Sequence, residues 1–124
     1  MQKVLEHVFK NTTYTPAVTV YAALFTGDPL GVGTEVTDSG YSRQAVAFGA
    51  YSFSSPSGEI SNSTDTIFGT IADGLVTIDH WAIYDTASGG NMLIAGTFTP
   101  GKTFNVADVV KALTGNLTAK LTQS

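Results

Sequence analysis

The segment LVTIDHWAIYD (75–85) carries the strongest β-strand pattern in the chain, and the two segments after it extend that pattern into a hairpin. Its β-branched and aromatic residues are those that strands prefer. TASGGN (86–91) has the composition of a turn, and MLIAGTF (92–98) has that of a second strand. The sequence therefore predicts a β-hairpin around which the rest of the fold is built.

Alternation along 75–85 assigns its side chains to two faces, because successive residues of a strand point in opposite directions. One face carries Leu75, Thr77, Asp79, Trp81 and Ile83, and the other carries Val76, Ile78, His80, Ala82 and Tyr84. On this pattern the neighbours Asp79 and His80 point apart. We therefore expect no direct pair between them, and we expect His80 to be a core or interface histidine.

Other strands are predicted by the same composition. AVTVYAALF (17–25) has bulky residues on both faces, which indicates a central strand or one at an interface. Further strands are predicted at 42–48, at 51–53 after a bulge, and at 65–71. Loops are predicted at 26–40 and 54–59, and another turn at 100–101. The tail VVKALTGNLTAKLT (109–122) fits a helix or two strands, and its β-branched residues favour a hairpin around 114–116.

Length and composition set the fold class. The chain has 124 residues and no cysteine, so it predicts one domain whose core forms without disulfides. About eight short strands, with turn signals every 8–12 residues, are typical of a sandwich, a jelly roll or a small barrel. We therefore expect an all-β, single-domain β-sandwich or jelly-roll-like fold with a short N-terminal helix.

The N-terminal helix is predicted at residues 1–10. Val4, Leu5, Val8 and Phe9 form one apolar stripe, and residues 11–13 end the helix. A helix this short is marginal alone and must dock on something. We divide the chain into an N-terminal helical anchor segment at 1–13 and a β-sandwich domain at 14–124. Because Glu6 and His7 interrupt the apolar stretch, no secretory signal is predicted.

Charge and hydropathy together argue against two classes of partner, nucleic acids and membranes. Six Lys and Arg against ten Asp and Glu give a net charge of −4, so no basic surface for nucleic acid is expected. No apolar run approaches 18 residues, so no membrane span is expected either.

The residues that could carry chemistry have simpler interpretations. His7 is read as a solvated helix residue, and Asp28, Asp38 and Asp73 lie in Gly- or Ser-rich loops where aspartate forms turns. No nucleophile, phosphate-loop or metal-binding motif occurs. We therefore predict no catalytic, cofactor or metal site. Arg43 is the one arginine, and a salt bridge or a carbonyl clamp is its expected role.

Aromatic residues exceed what one core of this size needs to bury, and Tyr and Trp are common at protein interfaces. Weak charge also suits closely packed subunits. The candidate interface residues are Val4, Leu5, Val8, Phe9, Tyr14, Tyr21, Phe25, Arg43, Trp81 and Tyr84.

Three stretches resemble a family of small tailed-bacteriophage virion proteins, labelled tail-fibre-like or head-decoration proteins. They are LEHVFKNTTYTPAVTVYAALFT (5–26), GYSRQAVAF (40–48) and DHWAIYDTASGGNMLIAGTFTPGKTFNVADVVKA (79–112). The resemblance implies a non-enzymatic part of the phage particle surface, with capsid or tail proteins as partners. It carries over no catalytic residue.

Three functions follow from these observations. The first is a virion protein that assembles with itself as a homotrimer. Within it, a capsid decoration or cement role is preferred to a tail-fibre or tail-tip role, because the chain is too short for a repetitive shaft. The second is a carbohydrate-binding module that stacks sugars on Trp81 and the tyrosines, although alternation places Trp81 and Tyr84 on opposite faces. The third is a small hydrolase with a carboxylate pair.

Overall fold

A computed structural model describes residues 1–16, 18–54 and 57–122, and their side chains except those of 54, 121 and 122. In these ranges the chain forms one helix and ten strands. They are α1 (Gln2–Phe9), β1 (Val20–Thr26), β2 (Thr34–Glu35), β3 (Gln44–Val46), β4 (Ser52–Ser54), β5 (Ser57–Ser61), β6 (Thr66–Thr70), β7 (Val76–Tyr84), β8 (Met92–Phe104), β9 (Val109–Ala112) and β10 (Thr118–Thr122). The predicted all-β, single-domain class with a short N-terminal helix is confirmed.

The strands form three antiparallel sheets. The main sheet has the order β2–β1–β7–β8, and β3 also pairs with β1. A second sheet has the order β10–β5–β4, and a third consists of β6 and β9. β1 is hydrogen-bonded on both sides, as its bulky residues on both faces predict.

The core lies between one face of the main sheet and the β6–β9 pair. Leu24 and Trp81 from the main sheet pack with Phe68 and Val110 from the pair, and Leu117 is fully buried in the same cluster. Because the β6–β9 pair is only two strands wide, its stability depends on this packing. The opposite face of the main sheet carries a second, smaller cluster.

The hairpin predicted from 75–98 is confirmed, because β7 pairs with β8. The strict alternation along β7 is wrong, since Ile78 shares the main core with Trp81. The pairing register shifts between Ile78 and His80, where Asp79 alone lies opposite residues 98–101 of β8 and the strands form an irregular bulge. The bulge reverses the alternation on either side of Asp79.

The turn expected at 100–101 is also corrected. β8 continues to Phe104, and its pairing with β7 resumes at Lys102 after an irregular stretch opposite Asp79. The chain bulges at Pro100 and Gly101 without reversing its direction.

Two loops and the tail differ from expectation. The loop predicted at 26–40 contains the short strand β2, and the loop predicted at 54–59 overlaps strands β4 and β5. The two tail strands exist, but the tail hairpin is wrong. β9 pairs with β6 and β10 pairs with β5, so the neighbouring tail strands belong to different sheets.

The predicted N-terminal helix is confirmed, and α1 is one residue shorter at each end than the predicted range 1–10. The helix stops at Phe9, and Asn11 follows in the left-handed region with φ 53°. Asparagine tolerates that conformation at helix ends better than most residues. Among the described residues, no helix has the length and hydropathy that crossing a membrane requires.

Candidate assembly surface

The outer face of the main sheet has a floor of small residues. Ala23, Ala82 and Ala95 form a row across β1, β7 and β8, and the first two are fully buried. Phe25 and Tyr84 pack with this row, and their rings are stacked with centroids 6.5 Å apart and planes 8° apart. The small side chains of the floor leave room for these rings to lie close to the sheet.

Arg43 covers part of this face. Its Cζ lies 3.7 Å from the centroid of the Tyr84 ring, and its side chain is only 9% exposed. Nε and Nη2 donate to the two carboxylate oxygens of Glu35 at 2.9 and 2.8 Å. Nη1 donates to the carbonyl oxygens of Gly89 at 2.8 Å and Thr86 at 3.2 Å. Both expected roles of Arg43, the salt bridge and the carbonyl clamp, are therefore confirmed.

Glu35 links this cluster to the main core. The Tyr41 hydroxyl donates to Glu35 Oε2 at 2.8 Å and accepts from the Leu24 amide at 3.0 Å. Burial acts to raise the pKa of Glu35, but the hydrogen bonds from Arg43 and Tyr41 and the charge of Arg43 outweigh it, so the pKa lies below its ordinary value. Glu35 is thus held as a carboxylate that fixes two donors.

α1 is fastened to the neighbouring end of the main sheet. The Tyr14 hydroxyl donates to Asp85 Oδ2 at 2.9 Å, and the Tyr14 amide donates to His7 Nδ1 at 3.2 Å. A pocket of about 200 Å³ remains between the helix and β8, with Val4 on one side and Leu93 on the other. The helix is therefore docked through one side only.

The rest of the apolar stripe is largely exposed, although Val8 also lines the pocket beside β8. Leu5, Val8 and Phe9 are 50%, 62% and 78% exposed. Stripes of this kind are normally buried against a neighbouring element. In the described structure this one has no cover, which makes it a candidate contact surface.

The structure sorts the ten predicted interface residues into three places. Tyr21, Phe25, Arg43 and Tyr84 lie on the outer face of the main sheet, and the helical residues and Tyr14 lie around α1. Trp81 is apart from both groups, because it is 4% exposed in the main core. Phe25 is also buried, at 6% exposure. Trp81 is therefore unavailable as the sugar-stacking platform that the second hypothesis requires.

Asp79 and His80 are in contact, contrary to the expectation from alternation. His80 Nδ1 lies 2.9 Å from Asp79 Oδ1, because the bulge turns both side chains to the same side. The same oxygen accepts from the Gly27 amide at 2.8 Å. These two hydrogen bonds lower the pKa of Asp79, the one with His80 contributing more. The Asp79 carboxylate therefore holds the start of the 27–33 loop in place.

Asp38 and Asp73 converge on an open pocket of about 290 Å³, where a carboxylate pair would be needed for hydrolysis. Asp38 accepts from the amides of Gly40, Ala72 and Asp73, and Asp73 accepts from the amide and hydroxyl of Ser39. The pKa of Asp38 is lowered, first by the Ala72 hydrogen bond, whereas a general acid needs a raised one. The pair therefore joins two loops. Asp38 has its predicted turn-forming role through the Gly40 amide, whereas Asp73 binds the distant Ser39 and not an amide of its own turn.

Across the described ranges, no three metal-ligating side chains come together in a way that could hold a metal ion.

One protein family matches almost the whole chain. The family described as Podophage GP4 fiber I protein gp80 matches residues 1–120. The chain belongs to this family. The gp80 family is a family of phage structural fibre proteins, so the protein is a virion component, and the resemblance to tailed-phage virion proteins is confirmed. Among curated proteins, no match to the chain is found.

Two surfaces of this gp80-family chain were missed by sequence reasoning. The first is a half-open cavity of about 160 Å³ between β8 and β9. The second is the outward side of the β6–β9 pair, where Ile67, Val109 and Leu113 are 58%, 55% and 48% exposed. The alternation of Val109, Lys111 and Leu113 was a usable signal for the second surface. No local signal exists for the cavity, because it forms between strands that are not paired with each other.

Proposed function

We propose that this chain is a structural subunit of a phage tail fibre, and that it works through contacts between proteins without catalysing a reaction. The match to a fibre family supports the fibre reading. It gives no support to the capsid decoration role that the sequence analysis preferred. The observation that carries the proposal is the uncovered apolar stripe of α1 on a protein that belongs to the virion.

The anchor role proposed for α1 is supported by how the helix is held. Eight residues are too few for a stable helix in isolation, so α1 depends on its docked side. The Tyr14–Asp85 hydrogen bond fixes the segment that follows the helix. The free side then presents Leu5 and Phe9 in a fixed orientation, with Val8 at the edge of the pocket. Burial of such side chains contributes about 25 cal/mol per Å² before the costs of association.

The absence of catalysis is supported by how the carboxylates are used. Glu35, Asp38, Asp79 and Asp85 each accept two or more hydrogen bonds from the protein itself. Bonds of this kind hold loops in place and favour the ionised form. In this proposal the partners are further copies of the chain and other tail proteins, and the homotrimer stays a prediction.

Electron microscopy of phage particles tests the location. A tag placed after Ser124 is expected to label the tail fibres. A label that rings the head instead would restore the decoration role and overturn the fibre proposal.

A truncation tests the anchor. Removal of residues 1–10 is expected to abolish incorporation into particles while the far-UV spectrum of the β-domain is kept. The double variant Leu5→Ser, Phe9→Ser should have the same effect with the chain length unchanged. Val18→Ser is the matched control, because Val18 is a fully exposed aliphatic residue outside the helix. Normal incorporation of the double variant would show that α1 is not the anchor.

A further inference from the structure

The cavity between β8 and β9 has the size and lining of a receptor for one apolar side chain. Its floor includes Leu24, Phe68 and Ile78, and Phe98 and Val110 stand on its two walls. An apolar cavity of about 150 Å³ binds a molecule as large as benzene, so about 160 Å³ accommodates one leucine side chain.

Two lysine side chains stand at the entrance to the cavity. Lys102 of β8 and Lys111 of β9 both line it, and both are exposed. The Lys102 ammonium lies 5.1 Å from the centroid of the Phe104 ring, at the β8 wall. In the described strands β8 pairs only with β7 and β9 only with β6, so no strand closes the gap between them. The entrance therefore favours an apolar side chain with a carboxylate next to it.

The 27–33 loop of the same protein has this chemistry. Leu30 and Val32 are 60% and 99% exposed, and Asp28 beside them is exposed as well. The loop is held by its own hydrogen bonds: the Asp28 carbonyl accepts from Gly31 at 3.0 Å and from Gly33 at 2.9 Å. Asp28 Oδ1 accepts from the Leu30 amide at 2.9 Å, which confirms the predicted turn-forming role of Asp28. A loop fixed in this way loses little entropy on binding.

The loop and the cavity lie at the same end of the main sheet. The Gly27 amide, at the start of the loop, donates to the Asp79 carboxylate. Asp79 in turn packs against Gly101, where an added Cβ would lie only 2.7 Å from the Asp79 Cβ. Gly101 follows Pro100, which lines the cavity. One end of a subunit can therefore both donate a loop and accept one, so that two copies related by a two-fold axis can make the contact twice.

We propose that the 27–33 loop of one copy inserts Leu30 into the β8–β9 cavity of a neighbouring copy, with Asp28 facing Lys102 and Lys111. This contact rests on the proposed function, because it makes the fibre subunit self-assembling. It uses a different surface from α1, which is left free for another protein of the tail.

Sedimentation of the full-length protein tests the contact. The wild-type chain is expected to self-associate, and Leu30→Ser is expected to raise its dissociation constant about tenfold or more, since serine gains little from burial in an apolar cavity. Asp28→Asn keeps the acceptor for the Leu30 amide and removes only the charge, so it should weaken association less. Val18→Ser should leave association unchanged.

Charge reversal adds a rescue experiment. Lys111→Glu is expected to weaken association. Mixing this variant with Asp28→Lys should restore part of the association, because the reversed charge on the loop of one chain then faces the reversed charge at the cavity of the other. The absence of cysteine also permits a direct proximity test. A mixture of the single variants Leu30→Cys and Lys111→Cys should form a mixed disulfide dimer under oxidation.

Two results would overturn the inference. One is a wild-type chain that stays monomeric at its highest soluble concentration, and the other is association that neither Leu30→Ser nor Lys111→Glu weakens. Neither result affects the location of tagged particles, so failure of this contact and failure of the fibre proposal are distinguishable.

Discussion

The guanidinium of Arg43 lies over the ring of Tyr84, with its Cζ 3.7 Å from the ring centroid. The same group binds the Glu35 carboxylate and the carbonyl oxygens of the β7–β8 turn. One side chain therefore connects the β2 edge, the outer face of the main sheet and the hairpin turn. This arrangement depends on the planar, forked shape of the guanidinium.

The first prediction concerns Arg43→Lys. Lysine keeps the positive charge but loses the two-pronged contact with Glu35 and the flat stacking on Tyr84, so we expect a loss of about 1–3 kcal/mol in the free energy of unfolding. Urea denaturation measures it. Lys120→Arg is the control, because it exchanges the same two residue types at an exposed site and should leave the stability unchanged. An Arg43→Lys protein as stable as the wild type would contradict the role given to the fork.

The second prediction is loss of stability in acid. Five carboxylates have lowered pKa values because they accept hydrogen bonds in the folded protein: Glu35, Asp38, Asp65, Asp79 and Asp85. Groups with a lowered folded pKa stabilise the protein above their unfolded pKa of about 4, and that contribution is lost as pH falls through the folded pKa.

We therefore expect the urea midpoint to be level above about pH 5 and to fall progressively below about pH 4. Asp65→Asn should flatten this fall, because it removes one of the groups whose pKa is lowered. A urea midpoint that increases as the pH is lowered from 5 to 3 would refute the assignment.

The third prediction concerns Asn62, a buried residue with four hydrogen bonds. Its Oδ1 accepts from the amides of Gly115 and Leu117, both at 3.0 Å, and its Nδ2 donates to the carbonyls of Thr64 and Leu113. Asn62→Ala leaves these backbone groups without that partner, and we expect a cost of about 3 kcal/mol or more.

Asn62→Asp is the matched control, since it has the same shape and keeps the oxygen that accepts. It should be destabilised as well, because an ionised carboxylate can make neither donation and its second oxygen would face the carbonyl oxygens of Thr64 and Leu113. Urea denaturation of both variants checks this, and an alanine variant with an unchanged midpoint would refute the prediction.

The fourth prediction concerns Gly96, which pairs with Trp81 across β7 and β8. A Cβ on Gly96 would overlap the indole ring. Gly96→Ala is therefore expected to cost about 1–3 kcal/mol and to shift the fluorescence of Trp81, the one tryptophan in the chain. Gly74→Ala is the control, because a Cβ there meets no atom within 4 Å. Equal effects of the two substitutions would contradict this packing.

Local patterns in the sequence determined much of the fold. The alternation in 75–85 and the turn residues after it predict the β7–β8 hairpin, and the apolar stripe at 1–10 predicts α1. Asp28 and Asp38 have the predicted turn-forming role because they bind amides only two residues away. The role of Arg43 was also accessible, since a single arginine on a weakly charged chain tends to find a carboxylate.

Other features were decided only by contacts between distant segments. β9 and β10 are neighbours in sequence but pair with β6 and β5, because pairing depends on which edges the core leaves available. The bulge at Asp79 is set by the register of β8, so strict alternation failed there and Trp81 entered the main core beside Ile78. The β8–β9 cavity likewise belongs to no single segment. A strand's sequence determines its periodicity, whereas its partner and its register are determined by the packing of the whole domain.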